Sequence, residues 1–498
     1  MVSPLKQLNK YPSINYLFLG LIGALSTFAF SPFNIKPAII LSLTILIYSV
    51  ASSINFFDAF KRSLVWGVGY WIGGTGWLIV SIYYYGNTQI IVSILLILLM
   101  GILLSLIFIA PISLLKFLQP SKNIFMLSLL FVSLLTILEL LRFTFLGGFP
   151  WLLPGLVFID TLAQPSIPII GVYGASFIIY FLSGFIAFSF IFKKKIYLIL
   201  SILCTLIFFP QSNTQFEKSD EGLTVGIIQP SLDPFKKFKV EEEKNIEDTL
   251  LKLSKNHLNA DLILWPESPF PYLNKSPEMR SLLKKLDEYP TIVSGTWEYN
   301  NNKLFNSLTI LGTNQTYHKR HLVPFGEYVP FEKVIRGLIN FFDLPMSSIT
   351  KGSSNQTLFD IKGFKVLGLI CFDVAFPLSF IDEIKKADFI LNVSNDTWFG
   401  RSYGPYQHLQ IVRARALESN KWIARGTSDG ISTIVDNNGT IVYLLNKNTS
   451  GVIKGDLEIV RSLNFFTKYG YQSIIALILF MFIFSLVKLI YQKKQDEN

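Results

Sequence analysis

The stretch Lys365 to Pro377, KVLGLICFDVAFP, decides how the second half of the chain is read. Val366 to Ile370 form an unbroken run of apolar residues and glycine, as expected of a strand buried on both faces. Cys371 stands at the exit of that strand, Asp373 follows two residues on, and Pro377 stops any helix that might begin there. A lone cysteine is more often a small core hydrophobe than a nucleophile. Two other segments shift that balance. DLILWPES, 261 to 268, carries Glu267 past a short apolar run, and QTYHKRHLVPFGEYVP, 315 to 330, carries Lys319 and Glu327. A glutamate, a lysine and a cysteine, each leaving a strand end, make a base, a cationic stabiliser and a nucleophile.

Composition places this unit in an unusual chain. Of 498 residues, 51% are hydrophobic, too many for an ordinary soluble enzyme and suited to a membrane protein. The formal net charge of +10 does not imply nucleic acid, because its clearest clusters flank apolar runs. Only two cysteines occur, Cys204 inside an apolar run and Cys371 outside one, so no disulfide framework is expected.

Apolar runs cover about 14–30, 37–53, 63–84, 89–115, 123–141, 167–192, 195–210 and 471–490. Several reach the ~20 residues that a spanning helix needs, and the reading is a polytopic α-helical membrane bundle of about eight spans. Lys6 and Lys10 precede the first run; Lys61 and Arg62, Lys116 and Lys122, Lys193 to Lys195, and Lys488, Lys493 and Lys494 follow at alternate connections. All of these then face one side, the cytoplasm, which puts both termini inside and residues 211–470 outside. One loop on the other side is not bland. Glu139 near a span end precedes LLRFTFLGGFPWLLPG, with Arg142 as its expected ion partner and Trp151 as an interfacial aromatic.

From Gly222 onward the texture changes. TVGIIQ, DLILW, TIVSGTW, NSLTILG, FKVLGLI, DFILNVS, WIARGTS, STIVDNNGTIVYLL and GVIKGDL read as strands. Helices are expected over about 240–258, 276–288 and 405–420, the second opened by Ser276 as cap and Pro277 in the first turn. Strands alternating with helices imply an α/β sandwich.

These segments resemble the nitrilase superfamily, and nearly the whole chain resembles the bacterial apolipoprotein N-acyltransferase family. The resemblance rests on WPES at 265–268, YHKRHLVPFGEYVP at 317–330, ICFDVAFP at 370–377, SNDTWFG at 394–400 and the GFPW loop, in the family's order. It implies an α-β-β-α nitrilase-like sandwich on the periplasmic side of the bacterial inner membrane, with domains at 1–210 (bundle of about seven helices), 220–462 (catalytic) and 471–490 (last span). It also implies Glu267 as general base, Lys319 as stabilising cation and Cys371 as nucleophile, with Glu327 holding the lysine. The backbone N–H of Phe372 is then a second oxyanion donor. The implied reaction moves an acyl chain from a membrane phospholipid, through a cysteine thioester, to the amine of a diacylglyceryl apolipoprotein; it calls for no cofactor, metal or nucleic acid.

The chain departs from the family's usual Cys-Tyr-Glu, with Phe372 and Asp373 after Cys371, and has Phe238 where tryptophan is typical. Both changes are conservative and point to an altered rate or substrate preference. Phe341 and Phe342, in the amphipathic stretch 331–346, are expected to dip into lipid, and Trp398 to line the substrate entrance. Two other readings compete: a membrane-anchored amidohydrolase using water as acceptor, for which one anchor would suffice, and a non-catalytic scaffold, which need not form an acyl adduct at Cys371.

Overall fold

The computed structural model describes residues 12–118, 123–207, 221–233, 235, 239–330, 332–335 and 348–497. It divides into two compact units: a helical one, and a β-rich one of 213–468 that also takes in Val80–Gln89. Phe238, Phe341, Phe342 and most of the stretch 331–346 lie outside the described residues.

The helical unit contains α1 (Pro12–Leu25), α2 (Pro37–Ala51), α3 (Phe56–Thr75), α4 (Ile90–Phe108), α5 (Ile124–Leu141), α6 (Ile167–Phe192), α7 (Lys195–Ile207) and a last helix, Gln472–Glu497. Every predicted apolar run therefore overlaps a helix, although α3 starts at Phe56 and ends at Thr75, short of the predicted 63–84. Three helical stretches among the described residues are long and apolar enough to cross a membrane: Ile90–Leu118, Gln164–Phe192 and Gln472–Gln495. α3 is less apolar because its first turns carry Asp58, Lys61 and Arg62; Asp58 and Arg62 pair at 2.8 Å. The expected Glu139–Arg142 pair is present at 3.3 Å and deeply buried, with the Tyr180 hydroxyl donating to the same carboxylate at 2.6 Å. A charged group at such a depth needs partners of this kind.

The β-rich unit is built from two six-stranded sheets, ordered β12-β1-β2-β3-β4-β5 and β11-β10-β9-β8-β7-β6. The first holds β1 (Gly222–Gln229), β2 (Leu262–Leu264), β3 (Thr291–Asn300), β4 (Lys303–Ile310), β5 (Thr316–His318) and β12 (Gly451–Glu458). The second holds β6 (Phe359–Ile361), β7 (Phe364–Ile370), β8 (Phe389–Ser394), β9 (Ile423–Thr427), β10 (Ser432–Val435) and β11 (Ile441–Leu445). Each sheet has three parallel strands at its centre, β1-β2-β3 and β7-β8-β9. Parallel strands covered on both faces are buried at every position, as LIL of β2 and FILNVS of β8 are; the two polar residues of β8, Asn392 and Ser394, are hydrogen-bonded.

The sheets face each other. Gly368 of β7 leaves room for Leu308 of β4, and Gly426 of β9 lies against Ile227 of β1 and Leu264 of β2. Helices α8 (Glu243–Ser254) and α9 (Pro277–Lys284) cover the outer face of the first sheet through Ile246, Leu250, Met279 and Leu282, packed on Ile228, Ile263 and Trp265. Ser276 caps α9 as expected, accepting from the Met279 amide at 3.2 Å. A third helix, α10 (Gly404–Ser419), is buried along nearly its whole length although it carries Gln407, His408, Gln410, Arg415 and Glu418. Buried polar groups of that density need partners, and those of His408 lead to the site.

One close approach fixes where Glu267 sits. A Cβ on Gly295 of β3 would stand 2.1 Å from the Ser268 nitrogen and 2.6 Å from the Glu267 Cα, both backbone atoms that cannot turn aside. Gly295→Ala must push the Glu267 segment off the sheet. The expected result is a loss of about 1–3 kcal/mol in chemical unfolding; an unchanged midpoint would show that the segment has slack.

Candidate functional site

The site collects at the carboxyl ends of the central parallel strands, where open α/β sheets bind ligands. β7 ends at Ile370 and hands over directly to Cys371. Cys371 has φ of +49°, a left-handed backbone that a side chain adopts at a cost. The turn that follows, Cys371–Ala375, is tied down by Asp373. Its Oδ2 accepts from the Ile370 amide at 3.2 Å and the Tyr317 hydroxyl at 2.9 Å. Its Oδ1 accepts from the amides of His321 at 2.7 Å and Arg320 at 3.2 Å. Asp373 thus joins the turn carrying the thiol to the residues just after Lys319. Burial pushes its carboxyl up to about 6, against the pull of Lys319 and of those amides.

Lys319 leaves β5 and is 2% exposed. Its ammonium donates to Glu327 Oε1 at 2.8 Å and to Glu267 Oε1 at 3.3 Å. Asn306 of β4 donates from Nδ2 to the same two oxygens, at 2.8 Å to Glu267 and 3.0 Å to Glu327. The remaining oxygens are also held: Glu267 Oε2 accepts from the Asn395 amide at 2.7 Å, and Glu327 Oε2 from the Val323 amide at 2.8 Å. Burial opposes the lysine's charge, but Glu267 and then Glu327 outweigh it and hold the ammonium protonated well beyond a free lysine. The half-buried Cys371 feels the same charges. Burial first, then Glu267, push its thiol well above the ordinary range, while Lys319 pulls it down. At rest the sulfur is therefore a thiol, and a nucleophile forms only as a base removes its proton.

Beneath the sulfur lies a group that sequence reading did not single out. Asp396, just past β8, accepts from Ser394 Oγ at 2.6 Å and pairs with Arg425 at 2.7 Å, both partners buried. His408 sets Nδ1 at 3.0 Å from Asp396 Oδ1 and Nε2 at 3.2 Å from the Cys371 carbonyl oxygen. The possible ligand atoms of Cys371, Asp396 and His408 lie within 4.8 Å of one another. A metal ion would compete there with the Arg425 guanidinium, whose fixed charge already holds the carboxylate. One signal was available: an arginine inside a strand as apolar as WIARGTS demands a buried anion. Asn306 carried no comparable signal.

The other expected positions fall differently. The Phe372 ring is buried edge-on to Phe376 at 4.9 Å. Trp398 is half-buried; its carbonyl accepts from Ser81 Oγ at 2.7 Å, and its ring meets Tyr85 edge-on at 5.4 Å. Phe235 stacks on the same Tyr85 at 5.3 Å, so the segment Val80–Gln89 packs against both rings. Trp151 belongs to the helical unit, buried between Phe149 and Trp77, with its carbonyl accepting from Arg142 at 3.0 Å.

Comparison with known proteins gives this geometry its setting. Residues 22–185 match the family model for the apolipoprotein N-acyltransferase N-terminal domain, and residues 224–462 match that for carbon-nitrogen hydrolases. The chain is 31% identical over 457 residues to the apolipoprotein N-acyltransferase of Pseudomonas syringae pv. tomato, covering 87% of this chain and 89% of that protein. It belongs to the apolipoprotein N-acyltransferase family. The Pasteurella multocida apolipoprotein N-acyltransferase is 34% identical over 86% of this chain and 85% of its own, and that of Wigglesworthia glossinidia brevipalpis 30% over 95% and 98%. The carbon-nitrogen hydrolase match spans nearly all of both sheets, and the acyltransferase-specific match covers α2 to α5 and parts of α1 and α6, together with Val80–Gln89.

Asp373 gives a pH test. Above pH about 6 it is a carboxylate accepting four hydrogen bonds; below it, the added proton removes one acceptor site and loosens the turn. Acyl transfer is expected to fall as pH drops through about 6, and Asp373→Asn to lose that limb. Stability runs the other way. The folded carboxyl binds its proton more tightly than the ordinary value of 3.8, so its contribution is present below 3.8 and lost as pH rises through about 6. An Asp373→Asn enzyme that keeps the limb near 6 would contradict this.

Proposed function

We propose that this acyltransferase moves an acyl chain from a membrane phospholipid to the N-terminal amine of an S-diacylglyceryl-cysteine apolipoprotein, through a thioester on Cys371. The observation that carries the reading is the buried ammonium of Lys319 held between Glu267 and Glu327 and coupled electrostatically to the thiol.

In the first step Glu267 takes the thiol proton as Cys371 Sγ attacks the ester carbonyl carbon. Charge develops on the carbonyl oxygen, where Lys319 and the Phe372 backbone N–H act as donors. The carbon–oxygen bond to glycerol breaks, the alkoxide takes the proton from Glu267, and a lysophospholipid leaves. In the second step the lipoprotein amine attacks the thioester, Glu267 accepts the amine proton, and that proton returns to the departing sulfur. Glu327 keeps the lysine fixed through both steps. No cofactor enters this balance.

In this reading residues 1–210 and 471–490 form the membrane part and 220–462 the catalytic domain. About eight helices span the inner membrane, both termini are cytoplasmic, and the site faces the periplasm. The three long apolar helices and the lysine and arginine clusters at alternate connections support this. Trp398, together with Phe238, Phe341 and Phe342 outside the described residues, is assigned to lipid binding; Trp151, expected there too, is 3% exposed and packs inside the helical unit.

The test is incubation of purified protein with phospholipid and an S-diacylglyceryl-cysteine peptide, followed by mass spectrometry. N-acyl peptide and lysophospholipid should appear in equal amounts, and Cys371→Ala should make neither. Free fatty acid in place of N-acyl peptide would mean that water is the acceptor and would overturn the reading.

A further inference from the structure

We infer that His408 is a positioning residue for the nucleophile, its Nε2–H fixing the Cys371 carbonyl so that the left-handed backbone at Cys371 is held in place. The inference rests on the reading of Cys371 as nucleophile, and it concerns a residue that makes no contact with substrate.

Cys371 leaves β7 at φ of +49°, a conformation that does not persist unless neighbouring groups over-determine it. Asp373 grips the turn through the Ile370 amide, one residue before the cysteine. On the cysteine itself, His408 Nε2 lies 3.2 Å from the carbonyl oxygen. A carbonyl oxygen only accepts, so this contact is a hydrogen bond when the proton sits on Nε2.

The contact to the carbonyl calls for it there. Arg425 NH2, which only donates, stands 3.1 Å from His408 Nδ1 and supplies that nitrogen's hydrogen bond. Asp396 Oδ1, 3.0 Å from the same Nδ1, accepts a hydrogen bond from the Ser394 hydroxyl at 2.6 Å, and Asp396 Oδ2 holds Arg425 at 2.7 Å. Burial first, and then Arg425, lower the ring's pKa, against the opposing pull of Asp396.

The line of contacts runs from β9 (Arg425) through Asp396 and α10 (His408) to the cysteine backbone. His408 is 1% exposed, so solvent does not stand in for it. This accounts for an imidazole on a fully packed helix face that the proton transfers of the reaction do not use. Asp396 and Arg425 act as supports that set the ring's tautomer and angle.

The test compares His408→Leu, His408→Asn and His408→Gln as full-length protein in phospholipid micelles with the diacylglyceryl-cysteine peptide. Glutamine reaches as far as Nε2 and carries an N–H there; asparagine stops short, and leucine has no donor. Leucine and asparagine are expected to lower kcat about tenfold or more with KM within about twofold in protein that remains folded, and glutamine to recover kcat to within about threefold of wild type. Wild-type kcat in His408→Leu, with transfer still abolished by Cys371→Ala, would overturn this inference alone. Glutamine failing as badly as leucine while folded would also overturn it. Transfer that survives Cys371→Ala would instead overturn the nucleophile reading and this inference with it.

Discussion

The Lys319 ammonium is almost without solvent, and the β-rich unit is arranged so that it can stay charged. Removing a cation and two carboxylates from water costs several kcal/mol per ion, recovered only when the geometry is good and the remaining lone pairs are satisfied. Both conditions are met. The lysine sits between Glu267 and Glu327, Asn306 bridges the two carboxylates, and the amides of Asn395 and Val323 take the oxygens that face away. A compact ammonium suits this place better than a guanidinium, whose planar fork matches one carboxylate rather than two converging ones.

The fold supplies these groups from separate strand ends. Glu267 follows β2, Lys319 follows β5, Cys371 follows β7 and Asn395 follows β8, and the amide of Asn395 links the second sheet to a carboxylate of the first. Gly295 lets the Glu267 segment lie on β3, and Asp373 ties the cysteine turn to the segment after the lysine. In the proposed mechanism, a raised thiol pKa beside a positioned carboxylate means general-base activation during attack instead of a standing thiolate. Such a site is protected from casual alkylation and oxidation, because the thiolate is the reactive form.

Much of this was legible in sequence because strand exits are marked by apolar runs that end in polar residues. The nine predicted strand segments all contain strands, and the cap of α9 was readable from Ser276 and Pro277. β5 and β6 were missed as separate strands, since Thr316–His318 and Phe359–Ile361 are too short for alternation to register. The polar floor was missed for another reason. Asn306 and His408 sit on regular elements where the pattern predicts only packing, and Arg425, whose charge called for a buried anion, did not say which; their meaning lies in contacts made across the sandwich. The membership of Val80–Gln89 in the β-rich unit was likewise beyond periodicity, which read that segment as the end of a span and a turn.

The measurement that bears most directly on the Lys319 site is the intact mass of the protein after incubation with phospholipid and no acceptor. The wild-type chain should gain the mass of one acyl group, removable by hydroxylamine, whereas folded Lys319→Met should gain none over the same interval. A Lys319→Met protein that acquires the adduct as fast as wild type would contradict the central claim that this buried cation makes the cysteine reactive toward an ester.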